Sequence, residues 1–259
     1  LKTDQLKSIE GMQAMLNRLA PGGWLAVHRF LLPPPRGEMR LLATTISAMR
    51  LQGWNPDLRL GVFRTLSTLM VLVSREAWTP KESKRFREFC LSRGFAPVYY
   101  PEMPEIEMNS VIKLQAPVYA LGVRELLSDP TAFHSRTPFD LQPVSDDRPY
   151  FDLFLDWYRL DDIRNSLGGK WEGLVEAGLL VPLLFAIVSL TALLLIGIPI
   201  LPHLCRMEKT ISVFLYFAGI GLAFMLVEIA LLEKLTPFLG QPVYSFALVL
   251  VGLLTASGL

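Results

Sequence analysis

Residues 177 to 202, AGLLVPLLFAIVSLTALLLIGIPILP, carry no charge, and the run exceeds the roughly 20 residues that a helix needs to cross a hydrocarbon core. Water offers such a segment no favourable neighbour on any face, so this run limits the possible folds more than any other feature. It is expected to be a transmembrane helix. Pro182 and Pro199 do not argue against it, because neighbouring helices and local adjustment can satisfy the carbonyls they free. A polar stretch, HLCRMEKT at 203 to 210, separates it from a second apolar run over 211 to 232, interrupted only by Glu228. A third begins at 243 and continues to 259. The overall apolar fraction of 51% and mean hydropathy of +0.37 agree with a chain that is partly in lipid.

The remaining composition narrows function by exclusion. A net charge of +1 without a clustered excess of Lys and Arg argues against nucleic acid as a partner. Cys90 and Cys205 make neither a metal spacing nor a disulfide framework and are expected as free thiols. His28, His134 and His203 are scattered singly, so no metal site is expected. The chain opens at Leu1 without a leader pattern and stops inside an apolar run, which reads as a fragment.

The first hundred residues have another character. Leu6, Ile9, Met12 and Leu16 recur at helical spacing and predict an amphipathic helix over 4 to 19, with Asp4 favoured at its start by the helix dipole. APGG at 20 to 23 ends it, and WLAVHRF at 24 to 30 predicts a buried strand. EMRLLATTISAMRLQG, 38 to 53, predicts a second helix closed by glycine. LRLGVFR at 58 to 64 and STLMVLVSR at 67 to 75 predict two strands joined by a tight turn. TPKESKRFREFCLSRG, 79 to 94, opens with Thr79 as N-cap and Pro80 at the first helical position and ends at Gly94. Its basic run, 81 to 88, reads as a solvated helix face. This order predicts an α/β sheet whose last pair is antiparallel. The domain reading is therefore an α/β domain over 1 to 100, a connecting segment over 101 to 172, and transmembrane helices from 173 onward, at about 177 to 202, 211 to 232 and 243 to 259.

LNRLAPGGWLAV, 16 to 27, resembles the helix, Pro-Gly-Gly turn and fifth strand of class I S-adenosylmethionine-dependent methyltransferases. DDRPYF, 146 to 151, and the long run GIGLAFMLVEIALLEKLTPFLGQPVYSFALVLVGLLTASGL, 219 to 259, resemble the bacterial membrane proteins called spermidine synthase-like. The resemblance is to their C-terminal half. It implies the closing half of a Rossmann-like class I methyltransferase fold followed by α-helical membrane segments. It also implies S-adenosylmethionine or its decarboxylated form as donor, and transfer of a methyl or aminopropyl group to a small-molecule acceptor such as an amine. The donor-binding turn and the family's catalytic aspartate are expected upstream of Leu1. A bacterial inner-membrane location follows from the same resemblance. Arg159, Arg164, Lys170 and Lys234 on one side of the spans, against Arg206 and Lys209 on the other, place the soluble domain in the cytoplasm.

Two clusters are candidates for chemistry. PVSDDRPYFDLF, 143 to 154, packs three aspartates, two of them adjacent, with an arginine and three aromatics in front of the membrane segment. One reading is a structured linker, with Tyr150, Phe151 and Phe154 packed on the domain and Arg148 paired to an aspartate. The other is an active-site lid in which Asp146 and Asp147 act as catalytic carboxylates and Arg148 and Tyr150 contact substrate. Glu228 is the second candidate, either an intramembrane binding or proton-linked site or an interhelical hydrogen bond. A degenerate transferase-like domain on a transporter or membrane-binding module is the competing function.

Overall fold

The computed structural model describes residues 6–168, 178–198 and 210–258. The chain divides into two units, Leu1–Leu183 and Leu184–Leu259.

The first unit is mixed α and β. Helix α1, Ile9–Asn17, begins at Ser8, whose hydroxyl accepts from the Gly11 N–H as an N-cap. The expected start at Asp4 lies outside the described residues. Met12 and Leu16 are fully buried, as the periodicity requires, while Leu6 is exposed. The Pro-Gly-Gly turn relies on Gly22 at φ +69°, a conformation that glycine adopts without steric cost. Strand β1, Trp24–Phe30, follows where expected, but it alternates between exposed and half-buried rather than being buried. The reason is its place at one edge of the sheet.

Helix α2, Gly37–Leu51, is the centre of this unit, with twelve of its fifteen residues buried. It packs against α1, β1 and a later helix, α4 (Val118–Ser128). Strands β2, Leu60–Arg64, and β3, Thr68–Ser74, form the expected tight pair, turned by Thr65, whose hydroxyl accepts from the Thr68 N–H. Within β2, Gly61 is required by a close approach: a Cβ there would lie 2.3 Å from Cη2 of Trp78. Helix α3, Pro80–Ser92, carries a complete capping box between Thr79 and Glu82. Strand β4, Ala96–Tyr99, continues from it and was not legible in the pattern.

The sheet order is β1-β3-β2-β4, and every neighbouring pair is antiparallel. The expected antiparallel pair β2–β3 is present, but the neighbours on either side of it are antiparallel as well, where the sequence pattern predicts an α/β sheet with only its last pair antiparallel. Because β1 and β2 are each antiparallel to the β3 between them, they run in the same direction, and α2 connects them. Residues 101 to 168 add α4, α5 (Pro130–Arg136) and α6 (Leu160–Ser166), and bury Phe133, Phe139, Leu141, Phe151, Phe154 and Ile163 in the same core as α2.

The apolar helices are α7 (Leu180–Ala192, continued as a π-helical turn over Leu193–Gly197), α8 (Thr210–Leu239) and α9 (Pro242–Gly258). Among the described residues one stretch, Leu215–Thr236 of α8, is long and apolar enough to cross a membrane. The apolar stretches of α7 and α9, Leu180–Leu195 and Pro242–Ala256, are shorter. The expected span over 177 to 202 has both ends outside the described residues. Helix α8 runs on past Leu232 and through Pro237, and ends at Gly240, at φ +76°, before Pro242. In the second unit α8 and α9 pack against each other, with Ser245 and Val249 buried.

Candidate functional site

The same-direction strands β1 and β2 end at Phe30 and Arg64, and the groups with unusual environments gather at that end. Helix α2 starts just beyond β1, so its first turn holds side chains there. Glu38 and Arg40 of that turn, with Thr44 one turn further on, are charged or polar and yet almost wholly shielded from solvent.

Arg40, 3% exposed, fastens the DDRPYF segment. One guanidinium nitrogen donates to the carbonyls of Tyr150 (3.1 Å), Phe151 (2.8 Å) and Leu153 (2.7 Å). The other donates to the Asp140 carbonyl at 2.6 Å and lies 3.3 Å from its carboxylate. The guanidinium also stacks over the Phe154 ring, 5.1 Å from its centroid. Burial lowers the pKa of Arg40, and the Asp140 carboxylate opposes that shift. Around it, Arg29 pairs with Asp152, and Lys7 and Arg29 both lie over the Phe151 ring, at 5.0 and 4.9 Å. The segment is thus held by its carbonyls and its phenylalanines.

That arrangement leaves the candidate side chains outward. Asp146, Asp147, Arg148 and Tyr150 are all exposed, Tyr150 by 61%. Asp146 is tied to α1: its carboxylate accepts from the Ser8 hydroxyl at 2.5 Å, and its N–H donates to Glu10 at 2.9 Å. Arg148 makes no ion pair with either aspartate among the described residues; its backbone N–H donates to the Ser145 carbonyl in a turn. Phe151 and Phe154 are buried as a packed linker requires, while Tyr150 is not. Among the described residues, the one buried polar side chain that meets these aspartates is Ser8, bonded to Asp146, and neither aspartate lines the cavities described below.

Glu38, which the motif search passed over, is the most unusual carboxyl in this unit. It is 0% exposed, and neither carboxylate oxygen makes a hydrogen bond of good geometry. Desolvation pushes its pKa up to about 7, against smaller lowering effects from backbone N–H groups, the Tyr119 hydroxyl and the Arg36 guanidinium. Tyr119 is itself raised, chiefly by burial and next by the Glu38 charge. Arg64, also buried, stands over the Tyr119 ring at 5.7 Å and donates to the Ile112 carbonyl. Arg64 and Tyr119 line a cavity of about 10 Å³, the size of one water. The legible signal was an acid, an arginine and two threonines on a helix that has no polar face left for solvent.

A separate groove of about 300 Å³ opens between the Pro34–Pro35 turn, Met39 and the helices α4 and α5, with Phe139 on its wall and the Glu125–Arg136 ion pair beside it. In the second unit, Glu228 is half-buried and shares the less exposed stripe of α8 with Leu232 and Leu235, at helical spacing. No group of three or more His, Cys, Asp or Glu is placed to hold a metal among the described residues. In comparisons with protein-family models, with curated proteins and with solved structures, nothing matches this chain.

Proposed function

We propose that the chain is the closing half of a membrane-anchored, spermidine synthase-like transferase domain, of the Rossmann-like class I methyltransferase kind. It would use S-adenosylmethionine or decarboxylated S-adenosylmethionine and transfer a methyl or aminopropyl group to a small-molecule acceptor, an amine among the candidates. The observation that carries this reading is the path helix, strand, helix, strand, strand, in which β3 returns between two strands of common direction. Such a crossover aligns strand ends on one side, and α/β sheets bind ligands beyond the carboxyl ends of their same-direction strands. The buried Glu38, Arg64 and Tyr119 lie at that end. The apolar length of Leu215–Thr236 supports an anchor in the lipid bilayer. The bacterial inner membrane is what the spermidine synthase-like resemblance implies, and the flanking charges favour the first unit in the cytoplasm.

The test uses the full-length protein in detergent or nanodiscs. Calorimetric titration with each donor, followed by mass-spectrometric detection of transfer to a panel of di- and polyamines, should give saturable binding and a product heavier by a methyl or aminopropyl group. Absence of binding for both donors would remove the reading. The half-buried Glu228 favours a second reading, a transporter or binding module with a degenerate transferase-like domain. Under it, neither donor is consumed, and Glu228→Gln abolishes amine binding or uptake in proteoliposomes.

A further inference from the structure

We infer that Glu38, Tyr119 and the water-sized cavity beside Arg64 form a proton-accepting relay that ends on the Glu38 carboxylate and serves group transfer at this end of the sheet. The inference rests on the transferase reading and deepens it.

Four observations converge on it. Glu38 is wholly shielded and neither oxygen makes a well-formed hydrogen bond, the interactions with the Tyr119 hydroxyl and the backbone N–H groups of Arg36 and Glu38 falling short of that geometry. An acid kept in that state has free capacity for a proton. Tyr119 both interacts with Glu38 through its hydroxyl and walls the cavity, so a hydroxyl connects the shielded carboxyl to a place where water fits. The groups facing Glu38 come from three directions: Arg36 from the turn before α2, Tyr119 from α4, and Arg64 from β2 behind the tyrosine. The Arg36 charge favours the ionised form of Glu38 in spite of burial. The balance leaves Glu38 titrating at about 7, where a proton acceptor works at physiological pH.

The chemistry balances as follows. The lone pair of an acceptor nitrogen or oxygen attacks the carbon attached to the donor's sulfonium. The new N–C or O–C bond forms as the C–S bond breaks, and the bonding pair goes to sulfur, leaving a neutral thioether. The proton released from the nucleophile passes through the cavity water to Tyr119, which gives its own proton to the Glu38 carboxylate. Glu38 becomes a carboxylic acid, and the product leaves uncharged by the transfer.

The full-length protein, Glu38→Gln and Tyr119→Phe are compared for kcat across pH 5 to 9, for donor affinity by calorimetry, and for the infrared C=O band of a protonated carboxylic acid. In the unsubstituted protein that band should fade as pH rises through about 7, in step with a rising limb of kcat. Glu38→Gln should remove both band and limb and lower kcat by about a hundredfold, the usual scale for loss of a proton acceptor, with donor affinity within a factor of three. Tyr119→Phe, which keeps the carboxyl, should lower kcat while preserving the band. A Glu38→Gln protein with unaltered kcat and limb overturns the relay alone. Failure of the unsubstituted protein to transfer from either donor overturns the transferase reading and the relay with it, and the fading band would then mark Glu38 as a packing group.

Discussion

Helices α2 and α8 each set an acid among apolar residues, and they meet opposite surroundings. Helix α2 is the less apolar of the two, yet twelve of its fifteen residues are buried, whereas none of the Leu215–Thr236 stretch of α8 is. Polarity of composition does not decide burial; the availability of partners does. On α2 the Thr44 and Thr45 hydroxyls donate to the carbonyls four residues back, and the two terminal nitrogens of Arg40 donate to carbonyls about a hundred residues away in sequence. The Glu38 carboxylate and the Arg40 Nε are left short. On α8 the backbone satisfies itself, and the bare apolar side chains call for a solvent other than water.

The largest effect that would sharpen this contrast is expected at Arg40. Arg40→Met keeps much of the apolar stem but leaves the carbonyls of Asp140, Tyr150, Phe151 and Leu153 in a dry site without a donor. A loss of about 3 to 5 kcal/mol is expected from urea unfolding, in the range for breaking one side of a buried charged network. A loss below 1 kcal/mol would mean that water replaces the guanidinium and that α2 is wetter than its burial suggests.

Glu38 gives the next effect and reads through pH. Its folded-state pKa of about 7 stands above the 4.5 of an unperturbed glutamate, so the folded chain holds the proton more tightly than the unfolded chain. The stabilisation is complete below pH 4.5 and fades as pH rises through 7, a decline of about 3 kcal/mol for a shift of this size. Glu38→Gln should flatten that decline and be the more stable protein at pH 8. Parallel curves for the two proteins would show that the carboxyl finds a partner when it ionises.

Smaller effects separate the two aspartates of the DDRPYF segment. Asp146→Asn should cost about 1 kcal/mol by weakening the Ser8 hydrogen bond, while Asp147→Asn, with an exposed side chain, should stay within about 0.5 kcal/mol. Turnover that falls in the stable Asp147→Asn protein would restore the lid. The smallest shift is expected from Glu228→Gln, which should leave the urea midpoint of the first unit unchanged and the chain in carbonate-washed membranes. Release by carbonate would end the anchor reading of α8.

What the sequence revealed follows the range of the forces involved. Thr79, Pro80 and Glu82 write the start of α3 within four residues, and Pro21 to Gly23 write the turn into β1; both are local, and both are found where expected. Strand β4 has four residues, too few for alternation to stand out, and its pairing with β2 depends on distant neighbours. The roles of Arg40 and Glu38 were illegible for a related reason. An arginine in an apolar helix pattern reads as an exposed face until the chain supplies carbonyls from beyond residue 139. The conspicuous DDRPYF acids, by contrast, drew attention by density alone, and the fold turns them outward.

Cys90 lies on the buried face of α3 among Phe63, Trp78, Phe86, Tyr100 and Met103, and burial pushes its thiol up to about 12. An alkylating reagent at neutral pH therefore finds neither access nor thiolate in the folded chain, whichever side of a membrane it is added to. That makes Cys90 useless as a sidedness marker and valuable as a clock. With Cys205 replaced by serine, each labelling event counts one opening of α3 from the sheet. The dependence of that rate on urea would distinguish a local lift of the helix from unfolding of the whole first unit, in the membrane-bound protein and without purification.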